Sequence, residues 1–309
     1  MNEGKPKKLF CFGYGYSCEY VGHALQQQGD WKILGTTRDS EKRRELLRRG
    51  VKSYIFDYEH PLGDPYFILD GVTHLLISTP PGDEGDPAFL LHGDAIAACK
   101  TLEWVGYFSS TAVYGDREGG DVTEQSEIRP TNKRGSRRAL AEDQWMSLWQ
   151  AYGLPLHIFR LAGIYGPGRS ALDSVRAGVA RRIHKEGHAF NRVHVEDVVQ
   201  TVLASMARPD PGAAYNVADD SPVPSHEVIA YACELLGLDV PPLLNYDEID
   251  MAPIARSFYK DNKRVRNDKI KQELGVTLKY PDFRSGLEAC LAVEDALGGP
   301  VVIDAGSGE

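Results

Sequence analysis

The sequence lacks the marks of disulfide-rich, metal-binding and membrane-spanning proteins. Its five cysteines are an odd number, lie far apart and include no Cys-x-x-Cys pair, so we expect reduced thiols and a cytoplasmic protein. No run approaches the roughly 20 apolar residues that span a bilayer. The basic start of the chain leads into a strand pattern and glycines, unlike a signal peptide. Neither metal-ligand spacing nor a nucleophile elbow is present.

Positive charge is also in short supply. The 35 Lys and Arg residues are outnumbered by 44 Asp and Glu residues, which gives a net charge of -9. This balance argues against nucleic acid or an anionic membrane as the main partner. We therefore expect a small-molecule substrate, with a homodimer as the assembly to test. Hydrophobic residues make up 42% of the chain, which is typical of a globular protein with a sizeable core.

Short apolar runs alternate with amphipathic stretches over the first half of the chain. This alternation predicts βαβ units, whose parallel strands form one sheet covered by helices on both faces. We therefore predict an α/β fold, a Rossmann-type doubly wound parallel sheet with a smaller C-terminal substrate lobe. The predicted strands lie within residues 8–15, 31–38, 51–58, 73–81, 104–115 and 155–168. The predicted helices lie within residues 17–30, 40–50, 87–101 and 137–153.

The loop after the first predicted strand has the spacing Gly-x-Gly-x-x-small, with Cys18 at the last position. A helix follows it and a second strand comes about 20 residues later, which is the context of a dinucleotide-binding fingerprint. Gly13 permits the tight turn, and Gly15 permits a pyrophosphate to approach the backbone and the helix N-terminus. The alternative is a tight βα turn without a ligand. The predicted cofactor contacts in this loop are Gly13, Tyr14, Gly15, Tyr16 and Ser17.

The end of the second strand discriminates between NAD and NADP. NAD binders usually place Asp or Glu there for the ribose 2′-hydroxyl, whereas this chain has Thr36, Thr37 and Arg38. A missing carboxylate and a nearby arginine favour a 2′-phosphate, so we predict NADP as the cofactor and consider NAD less favoured. Lys42 and Arg43, one turn into the next helix, add positive charge. The alternative is an ordinary surface arginine at position 38.

Further candidates follow the fourth, fifth and sixth strands, because open α/β sheets bind ligands at the carboxyl ends of their strands. Ser78, Thr79 and Pro80 after strand four, and Tyr165 after strand six, are predicted cofactor contacts. Tyr114 and Tyr165 are also candidate proton carriers. For both tyrosines the alternative is a packed loop aromatic.

The alternation loosens after about residue 168, where we place a domain boundary. Residues 1–168 are assigned to a dinucleotide-binding domain, to which residues 190–220 return, and residues 169–309 mainly to the substrate lobe. In this part, residues 191–209 predict a helix with an acidic start and residues 213–220 a short strand. Residues 225–239 predict a helix capped by Ser225. The composition from about residue 298 predicts a disordered tail.

Four segments resemble a known family. They are FSSTAVYGD after strand five, FRLAGIYGPG in and after strand six, NRVHVEDVV, and AYNVADD. Together they resemble the extended short-chain dehydrogenases/reductases, the fold of NAD-dependent epimerases and dehydratases that act on nucleotide sugars. The resemblance covers most of residues 8–290. The order of the motifs makes it specific for the fold and much less specific for the reaction.

The resemblance implies roles for residues near the fifth strand. The family places a Ser or Thr three residues before its Val-Tyr-Gly, which falls on Ser110 here, and this hydroxyl binds the substrate oxygen that gains or loses a proton. Thr111 beside it is a second candidate. The family then places a catalytic Tyr-x-x-x-Lys on the next helix. Arg134 occupies the tyrosine position and Arg138 the lysine position.

Arginine changes the chemistry at these two positions. A phenol can exchange a proton, whereas a guanidinium stays protonated and accepts no hydrogen bond. Arg134 is therefore predicted to clamp a carboxylate or phosphate or to stabilise an oxyanion, and Arg138 to bind ribose hydroxyls. Phe12 and Cys18 also replace the outer glycines of the family's Gly-x-x-Gly-x-x-Gly loop. The chain thus resembles the atypical branch of the superfamily, which keeps the cofactor fold without the usual catalytic pair.

Other polar residues support two interpretations each. His194 titrates in a range suited to proton transfer, but together with Asp197 it also fits the start of a helix. Arg256, Tyr259 and Lys263 fit either a cleft that binds an anionic substrate or a solvated basic surface.

Two functions are consistent with these features. The first is an NADP-dependent oxidoreductase or epimerase-like enzyme for a small, anionic or sugar-like substrate, with Ser110, Thr111, Arg134 and Arg138 in its active site. The second is a non-catalytic NADP(H)-binding sensor or regulatory protein. The first predicts turnover that depends on Ser110, and the second predicts cofactor binding without turnover.

Overall fold

The computed structural model describes residues 6–301 of the chain. The predicted disordered tail falls mainly on residues 302–309, which lie outside the described residues. The strands are β1 Lys7–Phe12, β2 Trp31–Thr37, β3 Lys52–Ile55, β4 His74–Ile77, β5 Trp104–Ser110, β6 Asp121–Val122, β7 Leu156–Leu161, β8 Gly163–Tyr165, β9 Arg182–His184, β10 Arg192–His194, β11 Ala214–Val217, β12 Leu243–Asn245 and β13 Arg264–Val265. The α-helices are α1 Tyr16–Gln27, α2 Ser40–Arg48, α3 Pro65–Ile68, α4 Pro87–Ala98, α5 Lys133–Tyr152, α6 Ala171–Arg176, α7 Val195–Ala207, α8 Ser225–Leu236, α9 Pro253–Ser257, α10 Asp268–Gln272 and α11 Phe283–Leu297.

Seven of these strands form one sheet in the order β11-β7-β5-β4-β1-β2-β3, and every neighbouring pair in it is parallel. This confirms the predicted α/β Rossmann-type fold, with β11 as a seventh strand at one edge. β4 and β7 are buried along their whole length, as expected of strands covered on both faces. The order reverses between β1 and β4, and ligands of such sheets bind in the crevice outside the carboxyl ends at this point.

The two faces of the sheet carry separate hydrophobic cores. Leu9 and Cys11 of β1 pack on the side of α1 and α7, whereas Phe10 and Phe12 pack on the side of α4 and α5. This division follows from the alternation of side chains along a strand. Because the strand is apolar on both faces, both layers of helices are held to it, and the loops at its carboxyl end are fixed in place.

Two local predictions were wrong. Residues 192–194, predicted as helix, form β10, which pairs with β8. The helix α7 begins only at Val195, because the Nδ1 atom of His194 accepts the N–H of Glu196 at 3.2 Å and caps it. Ser225 was predicted as a cap but is the first residue of α8, and its hydroxyl bonds instead to the hydroxyl of Tyr259 at 2.9 Å.

The C-terminal part has its own small core. Side chains of α6, α8 and α11 pack together there, among them Leu172, Val228, Phe283 and Leu287. The chain returns to the main sheet through α7, which packs on α1, and β11, which pairs with β7. The domain boundary near residue 168 stays a prediction. Within residues 6–301, no helix is both long and apolar enough to cross a bilayer, and no group of three or more His, Cys, Asp or Glu residues is arranged to hold a metal ion.

Candidate active site

The glycine loop at the end of β1 forms a cradle of backbone atoms. Gly13 has φ +82°, and a Cβ there would lie 3.1 Å from the backbone nitrogen of Thr79, so this position suits glycine on both counts. Its N–H donates to the Oγ1 atom of Thr36 at 2.8 Å. A Cβ on Gly15 would meet no atom within 4 Å, and α1 begins after Gly15 with no side-chain cap. The N–H groups of Gly13, Tyr14 and Gly15 all donate within the protein. The cradle therefore has room for a pyrophosphate, and the donors for it are the N–H groups of the first turn of α1.

The side chains of this loop point elsewhere. Tyr14 is 3% exposed and packs so closely on Gly22 and Gly35 that a Cβ would lie 2.3 Å from its hydroxyl at the first and 2.7 Å from its Cβ at the second. The hydroxyl of Tyr16 donates to the Pro167 carbonyl at 3.2 Å. Ser17 is buried. Cofactor contacts by Tyr14, Tyr16 and Ser17 stay predictions, and those of Tyr14 are limited to its backbone.

The polar residues after β2 are mostly engaged. Asp39 caps α2, because its Oδ1 accepts the N–H groups of Glu41 and Lys42 at 2.6 and 3.2 Å. Lys42 pairs with Glu19 at 2.9 Å. Arg43 donates from Nε to the Ser53 carbonyl at 3.1 Å. The two residues predicted to add positive charge thus have partners already: Lys42 pairs with Glu19, and Arg43 bonds to a backbone carbonyl.

Arg38 itself is exposed at the end of β2. Its position is the one at which a dinucleotide-binding sheet meets the adenosine ribose. The contact of Arg38 with a 2′-phosphate therefore stays a prediction.

The loop after β4 adjoins the glycine loop. Ser78 donates its N–H to the Phe12 carbonyl at 2.8 Å, Thr79 is buried and Pro80 is exposed. The hydroxyl of Thr79 donates to Oδ2 of Asp86 at 3.3 Å. Asp86 is fully buried and caps α4. Burial raises the pKa of Asp86 to about 6, against hydrogen bonds from Phe89 and Ala88 and the charge of Arg138, which lower it.

The basic run at the start of α5 faces an acidic partner. Asp83, in the loop after β4, lies 2.9 Å from Nζ of Lys133 and 2.8 Å from Nε of Arg137. Hydrogen bonds from these two side chains lower the pKa of Asp83 to about 2. Lys133 and Arg137 are therefore explained by local pairing, which leaves Arg134 and Arg138 to be placed.

Ser110 and Thr111 lie where β5 ends. The Oγ atom of Ser110 accepts the N–H of Ala112 at 3.2 Å and opens the 3₁₀ turn Thr111–Tyr114, and Thr111 is buried. A Cβ on Gly135 would lie 2.5 Å from the Ala112 carbonyl oxygen, so the first turn of α5 packs directly on this turn. The structure thus brings Ser110 and the start of α5 together, as the resemblance implies.

Arg138 points from α5 back to β5. Its Nη1 atom donates to the Phe108 carbonyl at 2.7 Å and to the Tyr107 hydroxyl at 3.1 Å. The same guanidinium lowers the pKa of Asp86, so it lies among the loops after β4 and β5. Arg138 is therefore held between α5 and β5, while its role as a ribose ligand stays a prediction.

Arg134 is exposed and stacks on an aromatic ring. Its guanidinium carbon lies 4.7 Å from the ring centroid of Phe258, in the segment between α9 and β13. The same segment is attached to the start of α5 by Asp261, which accepts hydrogen bonds from Thr131 and Asn132. Arg134 thus lies between the start of α5 and the segment that carries Phe258, and its predicted role as an anion clamp stays a prediction.

Tyr114 is packed into a buried polar network. Its hydroxyl donates to Oδ1 of Asn216 at 2.6 Å and accepts from Nη1 of Arg160 at 2.9 Å. Arg160 also pairs with Glu142 at 2.8 Å. Burial raises the pKa of Tyr114 to about 12, which makes it a poor proton carrier near neutrality. This network was not found from the sequence, although a charged residue inside the apolar strand β7 was a usable signal.

Tyr165 and His194 lie in the C-terminal part. The Tyr165 hydroxyl donates to the Asp282 carbonyl at 3.4 Å, and its ring is 5.2 Å from that of His194. Burial lowers the pKa of His194 to about 4. With its role as a helix cap, this favours the structural interpretation of His194. Asp197 accepts the N–H groups of Lys279 and Tyr280 at 2.7 and 3.1 Å, which is also structural.

The three candidates of the C-terminal segment, Arg256, Tyr259 and Lys263, have different surroundings. Tyr259 and Lys263 are buried, so neither belongs to a solvated basic surface. Lys263 donates to the Gly115 carbonyl at 2.9 Å, next to the 3₁₀ turn after β5. Arg256 donates to the Ile249 carbonyl at 2.9 Å.

A cavity of about 380 Å³ lies beside Tyr165 in the C-terminal part. It is called the C-terminal cavity below. Its lining includes three arginines, three serines and an apolar floor, namely Arg169, Arg181, Arg192, Ser170, Ser174, Ser225, Tyr165, Val228, Phe283 and Leu287. Nothing in the sequence pointed to this grouping, because its members come from five separate segments.

The arrangement of loops at the carboxyl edge is that of a dinucleotide-binding enzyme class, and comparison with known proteins agrees. Residues 13–218 match the model of the NAD dependent epimerase/dehydratase family. The chain therefore belongs to this family, whose members depend on a nicotinamide dinucleotide, and the resemblance noted from the sequence is confirmed.

Individual relatives cover most of the chain. Protein YeeZ of Escherichia coli K12 is 28% identical over 285 residues, which are 89% of this chain and 97% of that protein. A solved structure of a conserved protein of unknown function from Silicibacter pomeroyi is 52% identical, covers 93% of this chain and 99% of its own, and superposes with a TM-score of 0.85. UDP-glucuronic acid 4-epimerase of Bacillus cereus, solved with UDP-glucuronic acid and NAD, is 15% identical over 94% of this chain and 99% of its own, with a TM-score of 0.75. At that identity the likeness concerns the fold.

Proposed function

We propose that the chain is an NADP(H)-dependent oxidoreductase or epimerase-like enzyme that acts on a small anionic substrate in the cytoplasm. We infer the preference for NADP over NAD from the residues at the end of β2. Oδ1 of Asp39 is engaged as a cap by the N–H groups of Glu41 and Lys42, so this oxygen serves the start of α2. Arg38 is exposed at the same strand end and supplies the charge that a 2′-phosphate requires.

The crevice fits a dinucleotide. The open space at Gly15 and the uncapped start of α1 suit a pyrophosphate, and Thr79 closes the wall beside Gly13. When bound, the nicotinamide supplies or accepts a hydride. Arg138 uses only Nη1 for its bonds to Phe108 and Tyr107, so its remaining N–H groups can bind the nicotinamide ribose in place of the family's lysine.

Ser110 is the residue proposed to hold the substrate. Its oxygen accepts from the N–H of Ala112, so its own O–H is available to donate to a substrate carbonyl or hydroxyl. Arg134 accepts no proton, and Tyr114 is held in its network with a raised pKa. The proposed enzyme therefore works by positioning and by stabilising negative charge on the substrate oxygen, without the usual tyrosine.

The test is NADPH oxidation with a panel of carbonyl compounds that carry a carboxylate or phosphate. We expect turnover by the wild type and a loss of about tenfold or more in Ser110→Ala, in line with the removal of one donor to a developing oxyanion. Ser147→Ala is the matched control, because Ser147 is exposed on α5. Equal rates in Ser110→Ala and Ser147→Ala would overturn the role of Ser110.

One observation favours a second function, a non-catalytic NADP(H)-binding sensor. Arg134, which the resemblance assigns to the position of the family's tyrosine, stacks on Phe258, and the Tyr114 hydroxyl is bonded to Asn216 and Arg160. A sensor binds NADPH with no turnover of any compound in the panel and shows no effect of Ser110→Ala. The same two measurements therefore decide between the two functions.

A further inference from the structure

The polar wall of the C-terminal cavity is cationic. Arg169, Arg181 and Arg192 line it, and its other polar groups are hydroxyls of three serines and of Tyr165. No Asp, Glu, Asn or Gln side chain lines it among the described residues. A guanidinium donates hydrogen bonds and accepts none. The matching ligand is therefore rich in acceptors and negatively charged, and a nucleobase edge with N–H groups finds few acceptors here.

Arg192 is oriented by the backbone around it. Its Nη1 atom donates to the carbonyls of Phe190 and Val223 at 3.1 and 3.0 Å, and these are its hydrogen bonds among the described residues. Nε and Nη2 remain available on the side of the cavity. A fixed guanidinium with free N–H groups is suited to a carboxylate or phosphate, because it binds two oxygens at once.

The carboxyl group beside Arg192 does not neutralise it. Asp219 donates its N–H to the Arg192 carbonyl at 2.6 Å, but its Oδ2 atom is buried and has no hydrogen-bond partner among the described residues. Burial raises the pKa of Asp219 to about 8, so it is largely uncharged at pH 7. Asp219 and Glu227 both lie near enough to act on Arg192, but the hydrogen bonds of its guanidinium go to backbone carbonyls, so among the described residues no carboxylate is bonded to it.

The opposite wall of the cavity is apolar. Tyr165, Phe283 and Leu287 form it, and they suit an aliphatic or aromatic body. The volume of about 380 Å³ is near the lower end of the range of ligand pockets, which favours a compact ligand. The cavity also approaches the start of α1, because the guanidinium of Arg169, one of its lining residues, lies 5.7 Å from the ring centroid of Tyr16.

We propose that the C-terminal cavity binds the anionic end of the substrate, a carboxylate or phosphate monoester on a compact apolar body, with Arg192 as its principal ligand. This inference rests on the proposed function, since it places the charged end of the substrate of the same active site. Arg169, which also lines the cavity, lies against Tyr16 in the first turn of α1, so neighbouring residues join the cavity to the element that follows the glycine loop.

The test uses phenyl phosphate, benzoate and neutral benzyl alcohol as probes, titrated against the full chain by calorimetry or ligand-observed NMR. We expect phenyl phosphate and benzoate to bind and benzyl alcohol not to bind. Arg192→Lys keeps the positive charge but loses the planar guanidinium that binds two oxygens at once. It should weaken the binding of both anions by about tenfold or more. Arg181→Gln should weaken them less. Arg208→Gln, an exposed arginine outside the cavity, is the control and should bind as the wild type does.

A second variant, which fills the cavity, keeps the proposal testable if Arg192→Lys does not fold. Ser174 lines the cavity, so Ser174→Phe should abolish probe binding while NADPH binding is retained. Probe binding unchanged in both Arg192→Lys and Ser174→Phe overturns the proposal, as does UMP binding more tightly than phenyl phosphate. NADPH is titrated in the same samples. If the probes do not bind but NADPH does, only the inference about the C-terminal cavity is contradicted. If NADPH does not bind but the probes do, only the proposed cofactor is contradicted.

Discussion

The Nη1 atom of Arg138, on the second turn of α5, donates to the Phe108 carbonyl of β5 at 2.7 Å. This contact joins the helix that carries the family's catalytic positions to the strand that ends in Ser110. A lysine reaches with one flexible ammonium, whereas the planar guanidinium of Arg138 contacts both Phe108 and the Tyr107 hydroxyl and keeps further donors. Arg138 is thus both a brace and a candidate cofactor ligand.

Arg138→Met should lower the stability of the fold. The Phe108 carbonyl and the Tyr107 hydroxyl lose a charged donor, and we expect the free energy of unfolding to fall by about 1–3 kcal/mol. Arg138→Lys should restore part of this loss, since it keeps a charged donor. Urea denaturation measures both. Arg137→Met is the neighbouring control and should change little, because Arg137 pairs with the exposed Asp83. Equal losses of unfolding free energy in Arg138→Met and Arg138→Lys would contradict the role of Arg138 in joining α5 to β5.

Gly15→Ala separates cofactor binding from folding. Gly15 has φ -102°, which any residue adopts, and its Cβ position is open. We therefore expect the variant to keep its stability to within about 1 kcal/mol, the cost of alanine at a helix N-cap. The added methyl stands where the pyrophosphate approaches, so NADPH affinity should fall by about tenfold or more.

Gly13→Ala is the matched comparison for Gly15→Ala. Gly13 has φ +82° and no space toward Thr79, so its substitution should reduce stability and NADPH affinity together. Thermal denaturation and NADPH titration of the two variants give the comparison. Wild-type NADPH affinity in Gly15→Ala is the result that rules out the cradle.

Asp86 should make stability depend on pH. Its pKa is raised to about 6 by burial, against about 3.9 in an unfolded chain. Below pH 4 the carboxyl is protonated in both states and its contribution to stability is complete. As pH rises from about 4 to about 6 the unfolded chain releases the proton first, so stability falls, by about 3 kcal/mol in total.

Asp86→Asn tests this dependence. The amide oxygen can still cap α4 but does not titrate, so the variant should gain on the wild type as pH rises from 4 to 7. Denaturation at several pH values measures the difference in unfolding free energy. A difference that stays constant, or that grows in favour of the wild type, would show that folding does not raise the pKa of Asp86.

The sheet and the glycine loop followed from the sequence because both are local patterns. Apolar runs such as that of β1 and the spacing of Gly13 and Gly15 depend on neighbours in the chain. The start of α7 was missed because β10 exists only through its pairing with β8. Predictions about nucleic acid, membrane surfaces and a homodimer remain predictions.

The site was less accessible to sequence reasoning, since its contacts are long-range. The pairing of Asp83 with Lys133 and Arg137 joins the loop after β4 to the start of α5, about 50 residues further along the chain. The surroundings of this basic run could therefore not be predicted from its own composition. The packing of Arg134 on Phe258 spans an even longer separation. The resemblance assigned Arg138 to the position of the family's lysine, which stays a prediction, and it did not indicate the Phe108 carbonyl as its partner.

The most direct test of the central claim is a calorimetric titration of NADPH and NADH against the wild type and Arg38→Ala. We predict that the wild type binds NADPH more tightly than NADH, by about tenfold or more, because a charge-assisted bond to the 2′-phosphate is made only by NADPH. Arg38→Ala should lose most of this preference and retain NADH binding. Equal or tighter binding of NADH by the wild type, or no binding of either nucleotide, would contradict the account.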